Sequence, residues 1–293
     1  MSKRIILTVA TGPEKYGEMA MGLGRSLSLI QDDTPRAVIT DNPNFDWSRY
    51  FDHVIPPIDD GTGSPYFKKF SGLECTDADE ILFVDADCLV FKRVAPLFDM
   101  ARGSDVCVSG RWVSDGVWYE KSISDLCREI GVSQFPRFNT GVLWYERSDE
   151  GKRVIDETRK ALADYERYGF EKLRGKPSDE PCLAVAMAKT GIGKVLPLSV
   201  GMNESGVGLI GKLDLDVLTG ACKFITGNPH VRLVEPYVFH AHYFAKLGIY
   251  WRELQKLKDL EERRDRLGPR YMSRSWRIQR SIRKRWLRLL GKS

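Results

Sequence analysis

Asp85 and Asp87 stand two residues apart in an apolar, β-prone run, Ile81-Leu82-Phe83-Val84-Asp85-Ala86-Asp87-Cys88-Leu89-Val90-Phe91. Alternation aims both carboxylates at one side of a strand end, and burying two charges there is costly unless something cationic neutralises them. Two hard oxygen donors at this spacing can share one divalent cation. A cation at the carboxyl end of a central strand can in turn hold phosphates. Isolated pairs of this kind also occur as strand-end or turn aspartates facing water. Here the apolar stretches on both sides read as buried strands, which places the pair in a cleft.

The elements that must position the pair are legible from hydrophobic spacing. A strand is expected over residues 4–10, then a Gly12-Pro13 turn and a helix carrying Met19, Leu23, Leu27 and Ile30 at helical intervals. Residues 37–40 and 53–55 read as further strands, and 66–76 as a helix leading to the strand that ends at Asp85. Strands over 106–108 and 140–145 follow, with helical spacing over 149–168 and 179–190. Strands alternating with helices point to an α/β domain with a mainly parallel sheet, whose ligand sits at the carboxyl ends of the strands.

Further segments fall in a fixed order along the chain: Thr8 to Leu27, with Tyr16 before Ala20-Met21-Gly22-Leu23-Gly24; Asp85-Ala86-Asp87; Phe138-Asn139-Thr140-Gly141; Ser178-Asp179-Glu180; and His240-Ala241-His242 running to Lys246. Together they resemble glycosyltransferase family 8, retaining enzymes of the Rossmann-like GT-A fold that use nucleotide sugars. The resemblance implies that Thr8, Ala10 and the following loop cradle a nucleotide base with Tyr16 stacked on uracil, although Gly12-Pro13 departs from the usual loop. It further implies Mn²⁺ or Mg²⁺ on Asp85 and Asp87, bridging the diphosphate of a UDP-sugar, with Lys68 or Lys69 near the donor. Asn139 and Asp179 would contact the donor sugar. Glu180 stands where many relatives carry glutamine. His240 would be the third metal ligand, with His242 the rival for that role, and Lys246 a diphosphate contact, with Leu247-Gly248 replacing the usual Pro-Trp. Asp115 lies where relatives place a sugar-contacting carboxylate.

Retention can follow either of two routes: a covalent step on Glu180, or attack by the acceptor on the face from which UDP leaves. Rival classes are a haloacid-dehalogenase-type phosphotransferase using Asp85 and Asp87, and an inactive sugar-nucleotide-binding or membrane-associated protein. The phosphotransferase motif normally ends the first strand and has Thr or Val where this chain has Leu89. A sugar nucleotidylyltransferase would open on a Gly-rich loop that this chain lacks.

The 293 residues suffice for one large domain with an appendage. The longest apolar runs fall short of the roughly 20 residues a membrane span needs, and Ile5 to Ala10 is too short for a signal peptide. Six cysteines without C-x-x-C spacing argue for free thiols and against a cysteine zinc site. A cytoplasmic protein is expected. The net charge of +5 conceals an asymmetry, since residues 251–293 carry fifteen basic and five acidic side chains. We therefore divide the chain into a catalytic domain over 1–250 and a basic helical tail over 251–293. Within 270–293, Trp276, Ile282, Trp286 and Leu290 lie opposite Arg274, Arg277 and Arg288 on a helical wheel. That pattern suits the inner face of an anionic membrane and a lipid-linked or other glycan acceptor. Packing on protein is the main rival, and no nucleic-acid partner is expected.

Overall fold

The structure, a computed structural model, describes residues 2–59, 61–242 and 247–267. Lys246 and the amphipathic segment 270–293 lie outside them. The chain opens β1 (Arg4–Ala10), α1 (Glu14–Leu29), β2 (Arg36–Thr40) and β3 (His53–Ile55). Where one helix is expected over 66–76, a 3-10 helix (Pro65–Ser71) runs into a single turn, α2 (Gly72–Cys75). The cause is packing. Residues three apart eclipse in 3-10 geometry, and Phe67 and Phe70 are both buried with rings 5.6 Å apart.

Next come β4 (Glu80–Val84), β5 (Cys88–Val90), α3 (Ala95–Ala101), β6 (Val106–Val113), a hairpin of β7 (Val117–Trp118) and β8 (Lys121–Ser122), α4 (Ile123–Ile130) and β9 (Phe135–Glu146). The helix expected over 149–168 divides at Asp164 into α5 (Asp149–Ala163) and α6 (Tyr165–Tyr168). After α7 (Asp179–Thr190) follow β10 (Lys194–Pro197), β11 (Asn203–Ser205), β12 (Leu209–Asp216), β13 (Ala221–Thr226), β14 (Arg232–Val234), β15 (Val238–His240) and α8 (Ile249–Leu267).

The central sheet has the order β10-β6-β9-β4-β1-β2-β3. All its pairs are parallel except the two made by β9. β2 and β4 are buried along their whole length, as near-continuous apolar runs covered on both faces should be. The sheet is therefore mixed and mainly parallel, as its sequence predicts.

Asp85-Ala86-Asp87 does not continue β4. It turns the chain out of the central sheet, the Asp85 N–H donating to the Gly141 carbonyl at 2.8 Å. β5 then enters a second sheet of order β11-β15-β5, where it runs antiparallel to β15 with Cys88 opposite His240. Two strands distant in sequence thus meet at the acid pair.

α8 begins one residue before the change in composition at 250, and its inner face is core. Tyr250, Leu254 and Leu257 are buried against α1 and its surroundings. Close approach requires Gly22 on α1, because a Cβ there would stand 2.4 Å from Leu254 Cδ1. Arg25 on α1 pairs with Glu261 at 2.6 Å, and Glu253 accepts the Val217 N–H at 2.8 Å. Residues 249–267 are thereby part of the packed body.

Candidate active site

A cleft of about 810 Å³ opens at the carboxyl end of β1 and β4. Along one wall run Val9, Thr11, Gly12, Pro13 and Tyr16. Lys68 lines the same region, its Nζ 3.2 Å from Thr11 Oγ1. Thr8 and Ala10, expected to contact the nucleotide, are instead buried within β1. Strand alternation turns the side chains of Val9 and Thr11 into the cleft and those of Thr8 and Ala10 away from it. Asp115 is exposed on the turn after β6 and is not among the residues that line this cleft.

At the floor, His240 Nε2 lies 3.1 Å from Asp87 Oδ1 and 3.7 Å from Asp85 Oδ2. The other ring nitrogen, Nδ1, meets Asn139 Oδ1 at 3.0 Å. That oxygen also accepts from the Gly141 N–H at 2.9 Å and from Asn203 Nδ2 at 2.8 Å. A backbone N–H is an unambiguous donor, so the network assigns the Asn139 carbonyl to this side and a hydrogen to Nδ1. Nε2 is left facing the carboxylates, the orientation a metal-ligating histidine needs. Gly141 makes room for the ring, since a Cβ at that position would lie 2.5 Å from Nδ1. His242 also lines the cleft, with its ring centroid 5.8 Å from that of His240.

The donor set fits a divalent cation. Asp85 and Asp87 each face His240 Nε2 at the mouth of a central strand, a mixture suited to Mn²⁺ or Mg²⁺. Among the described residues, however, the group whose ligand atoms lie closest together is Asp87, Cys88 and His240, without Asp85. Cys88 Sγ lies within 4.8 Å of Asp87 and His240 ligand atoms. It is the poorer partner: burial pushes its thiol well up, and it points to the Gly141 carbonyl at 3.8 Å. Burial pulls the His240 pKa down, but Asp87 and then Asp85 outweigh it and raise the value to about 9. The proton does what a cation would do. Burial raises the Asp85 pKa despite Lys69 and His240, whereas Asp87 is held low by His240 against its own burial.

The far wall is built by the start of α7. Asp179 pairs with the buried Lys69 at 2.8 Å and accepts from Thr140 Oγ1 at 2.7 Å. Lys69 Nζ also stands 3.6 Å from Asp85. Burial lowers its pKa, yet Asp179 and Asp85 together raise it on balance. Of the two lysines, Lys69 therefore joins the acidic cluster and Lys68 the wall that carries Thr11 and Tyr16. Glu180 Oε1 accepts from Asn139 Nδ2 at 2.6 Å and from the Thr140 N–H at 3.3 Å, and Oε2 accepts from the Tyr119 hydroxyl at 2.9 Å. Burial first, then Asp179, pushes the Glu180 pKa up to about 7.

Tyr119 escapes sequence reasoning. It and Glu120 form the tip of the β7–β8 hairpin with φ of 48° and 58°. Turns with two such residues usually carry Asn or Gly, and Trp118-Tyr119-Glu120-Lys121 gives no such signal. Trp118, which packs on Phe135 and Phe138, joins Tyr119 in lining the cleft. Asn203 and Arg174, the latter at a left-handed turn on the rim, are further participants without a sequence signature.

No protein-family model and no curated protein matches the sequence. Solved structures do. The backbone is similar to an active-site mutant of LgtC, with a TM-score of 0.55 and 16% identity over 87% of this chain and 95% of that one. The chain has the GT-A fold. A mouse xyloside xylosyltransferase 1 shares this GT-A architecture at a TM-score of 0.50 and 12% identity, over 82% of this chain and 98% of that one. The bifunctional glycosyltransferase WbbM gives the same TM-score at 13% identity, and there this chain spans 45% of the longer protein.

Proposed function

We propose that the protein is a metal-dependent, retaining glycosyltransferase that moves a hexose from a UDP-sugar to a glycan or lipid-linked glycan acceptor at the inner face of a membrane. One observation carries this reading. The β5–β15 pairing brings His240 Nε2 onto Asp85 and Asp87 at the mouth of β4, in one cleft with Glu180, which the Asn139 amide ties to His240. The GT-A fold supports it, since WbbM and the xylosyltransferase are glycosyltransferases by name.

Asp85, Asp87 and His240 would hold Mn²⁺ or Mg²⁺, which when bound supplies Lewis-acid stabilisation to the departing diphosphate. Tyr16 offers a ring for the base, and Lys68 a positive charge on the same wall. Lys69 fixes Asp179 and Asp85 in place. Asn139 is the hinge of the site: one end of its amide orients His240, while the other holds Glu180. Movement of either group is thus transmitted to its neighbour.

Glu180 has donors on both oxygens, an arrangement that orients it as an electrostatic partner for positive charge growing on the sugar ring. Oε2 accepts a single hydrogen bond and keeps a second lone pair, so the same carboxylate has a site from which to attack the sugar. Attack by the acceptor on the face UDP leaves, with Glu180 stabilising the transition state, is the route we propose, and Glu180→Gln separates it from the covalent one. The phosphotransferase reading is disfavoured, because the acid pair follows the fourth strand and not the first.

The test is a screen of UDP-sugars with and without Mn²⁺, reading UDP release and sugar transfer, followed by Glu180→Gln. Metal-dependent release with one sugar is expected, and the variant should keep measurable turnover. No release with any donor would overturn the transferase; complete loss in Glu180→Gln would restore the covalent route.

A further inference from the structure

Arg111 and Arg137 face each other across the β6–β9 ladder, paired in register. Directly opposed residues of an antiparallel pair point to the same face, and like charges in that position repel. Both side chains are half-buried. Among the described residues neither makes a hydrogen bond or an ion pair. Burial first, and Arg111 second, lower the Arg137 pKa, with Glu180 near enough to pull it back upward. This is an unusual arrangement to leave uncompensated. Elsewhere on this molecule enclosed arginines have partners: Arg25 and Arg232 pair with the carboxylates of Glu261 and Glu204, and Arg36 donates to backbone carbonyls and to Ser28.

The location adds to the case. Arg137 precedes Asn139 by two residues on the same strand, and Asn139 holds Glu180. Neither arginine lines the cleft itself; the pair stands at its edge, with Arg137 on the strand face of Asn139 and close enough to Glu180 to feel its charge. Two guanidinium groups side by side offer parallel N–H donors matched to the oxygens of a phosphate or carboxylate.

We propose that Arg111 and Arg137 form an anion subsite that recognises an acidic group, phosphate or carboxylate, carried by the acceptor. The assignment of the anion to an acceptor rests on the glycosyl-transfer reading; the existence of the subsite does not. In the free protein the two charges repel, and the ligand's negative charge relieves that repulsion when it docks. An acceptor with the acidic group is thereby preferred over its neutral counterpart.

The full-length protein and the variants Arg111→Gln, Arg137→Gln and the double Arg-to-Lys exchange are titrated, without donor, with inorganic phosphate, glucose 6-phosphate, methyl glucuronide and methyl glucoside at fixed ionic strength. Wild type should bind at least one class of anion and not the neutral glucoside. Each glutamine variant should weaken that binding about tenfold or more. The double lysine variant, which keeps charge and loses the planar fork, should fall between. Preference for glucose 6-phosphate over the glucuronide assigns a phosphorylated acceptor, and the reverse an acidic sugar. Unliganded Arg137→Gln should melt no lower than wild type, because the repulsion is gone. Equal anion affinity in wild type and variants overturns the subsite, as does a lower melting temperature of Arg137→Gln, which would mark the guanidinium as a structural support. Failure here leaves sugar transfer standing, whereas intact anion binding without any donor turnover would remove the transferase alone.

Discussion

Two pulls oppose each other at Glu180. Loss of water and the neighbouring Asp179 favour the neutral acid, while Tyr119, Lys69 and the Thr140 N–H favour the carboxylate, and the balance leaves a pKa of about 7 against an ordinary 4.5. Between those values the folded chain keeps a proton that the unfolded chain has shed. Stability from this group therefore falls as pH rises through that interval. In metal-free buffer, the melting temperature of Glu180→Gln should gain on that of wild type between about pH 5 and pH 8; a gap independent of pH would show that the carboxyl does not titrate there. Metal binding gives a second check at this scale. Saturating Mn²⁺ should raise the melting temperature of wild type, a ligand at about a hundred times its Kd adding about 2.7 kcal/mol, and Asp87→Asn should lose most of that gain. An equal gain in the variant would place the cation elsewhere.

At the scale of elements, the site depends on two strands and a hairpin arriving at one place. The approach of β15 to β9 is tight, and Gly141 is the residue that permits it. Gly141→Ala would put a methyl group on the imidazole, so His240 should shift and Mn²⁺ affinity fall by about tenfold or more. Calorimetry measures this, with circular dichroism confirming that the sheet persists. Unchanged affinity would mean that His240 is not a ligand. Much of this was legible beforehand. The strand at 4–10 and the helix at 179–190 coincide with their apolar runs because both are buried along nearly their whole length, whereas the strand at 53–55 falls where expected as an edge strand with Val54 exposed. The hairpin holding Tyr119 was not legible, since its left-handed turn is imposed by what Trp118 and Tyr119 contact and not by turn-forming residues.

For the whole molecule, α8 closes the body over α1. Leu254 is 1% exposed, and Leu254→Ala should destabilise the protein by about 2–5 kcal/mol, read from urea unfolding. A cost below about 1 kcal/mol would show that α8 is peripheral to the fold. Beyond α8 the chain continues into its most basic segment. We propose that residues 270–293 dock on anionic membrane, so their deletion should abolish sedimentation with vesicles containing phosphatidylserine while leaving the melting temperature unchanged. Undiminished sedimentation would reject that role.

Local pattern alone determined the alternation of strands and helices, the acid pair at the end of a buried strand, and the ordered segments that resemble a transferase family, because each depends on side chains close together along the chain. Which of those residues meet was decided by tertiary structure. Pairing across 152 positions between Cys88 and His240 brings the imidazole to the acid pair, and alternation within β1 turns Thr8 away and Val9 inward. Asp115, suited by type, is carried to the surface. Register and strand order are properties of contacts between distant segments, and no stretch of sequence holds both partners of such a contact.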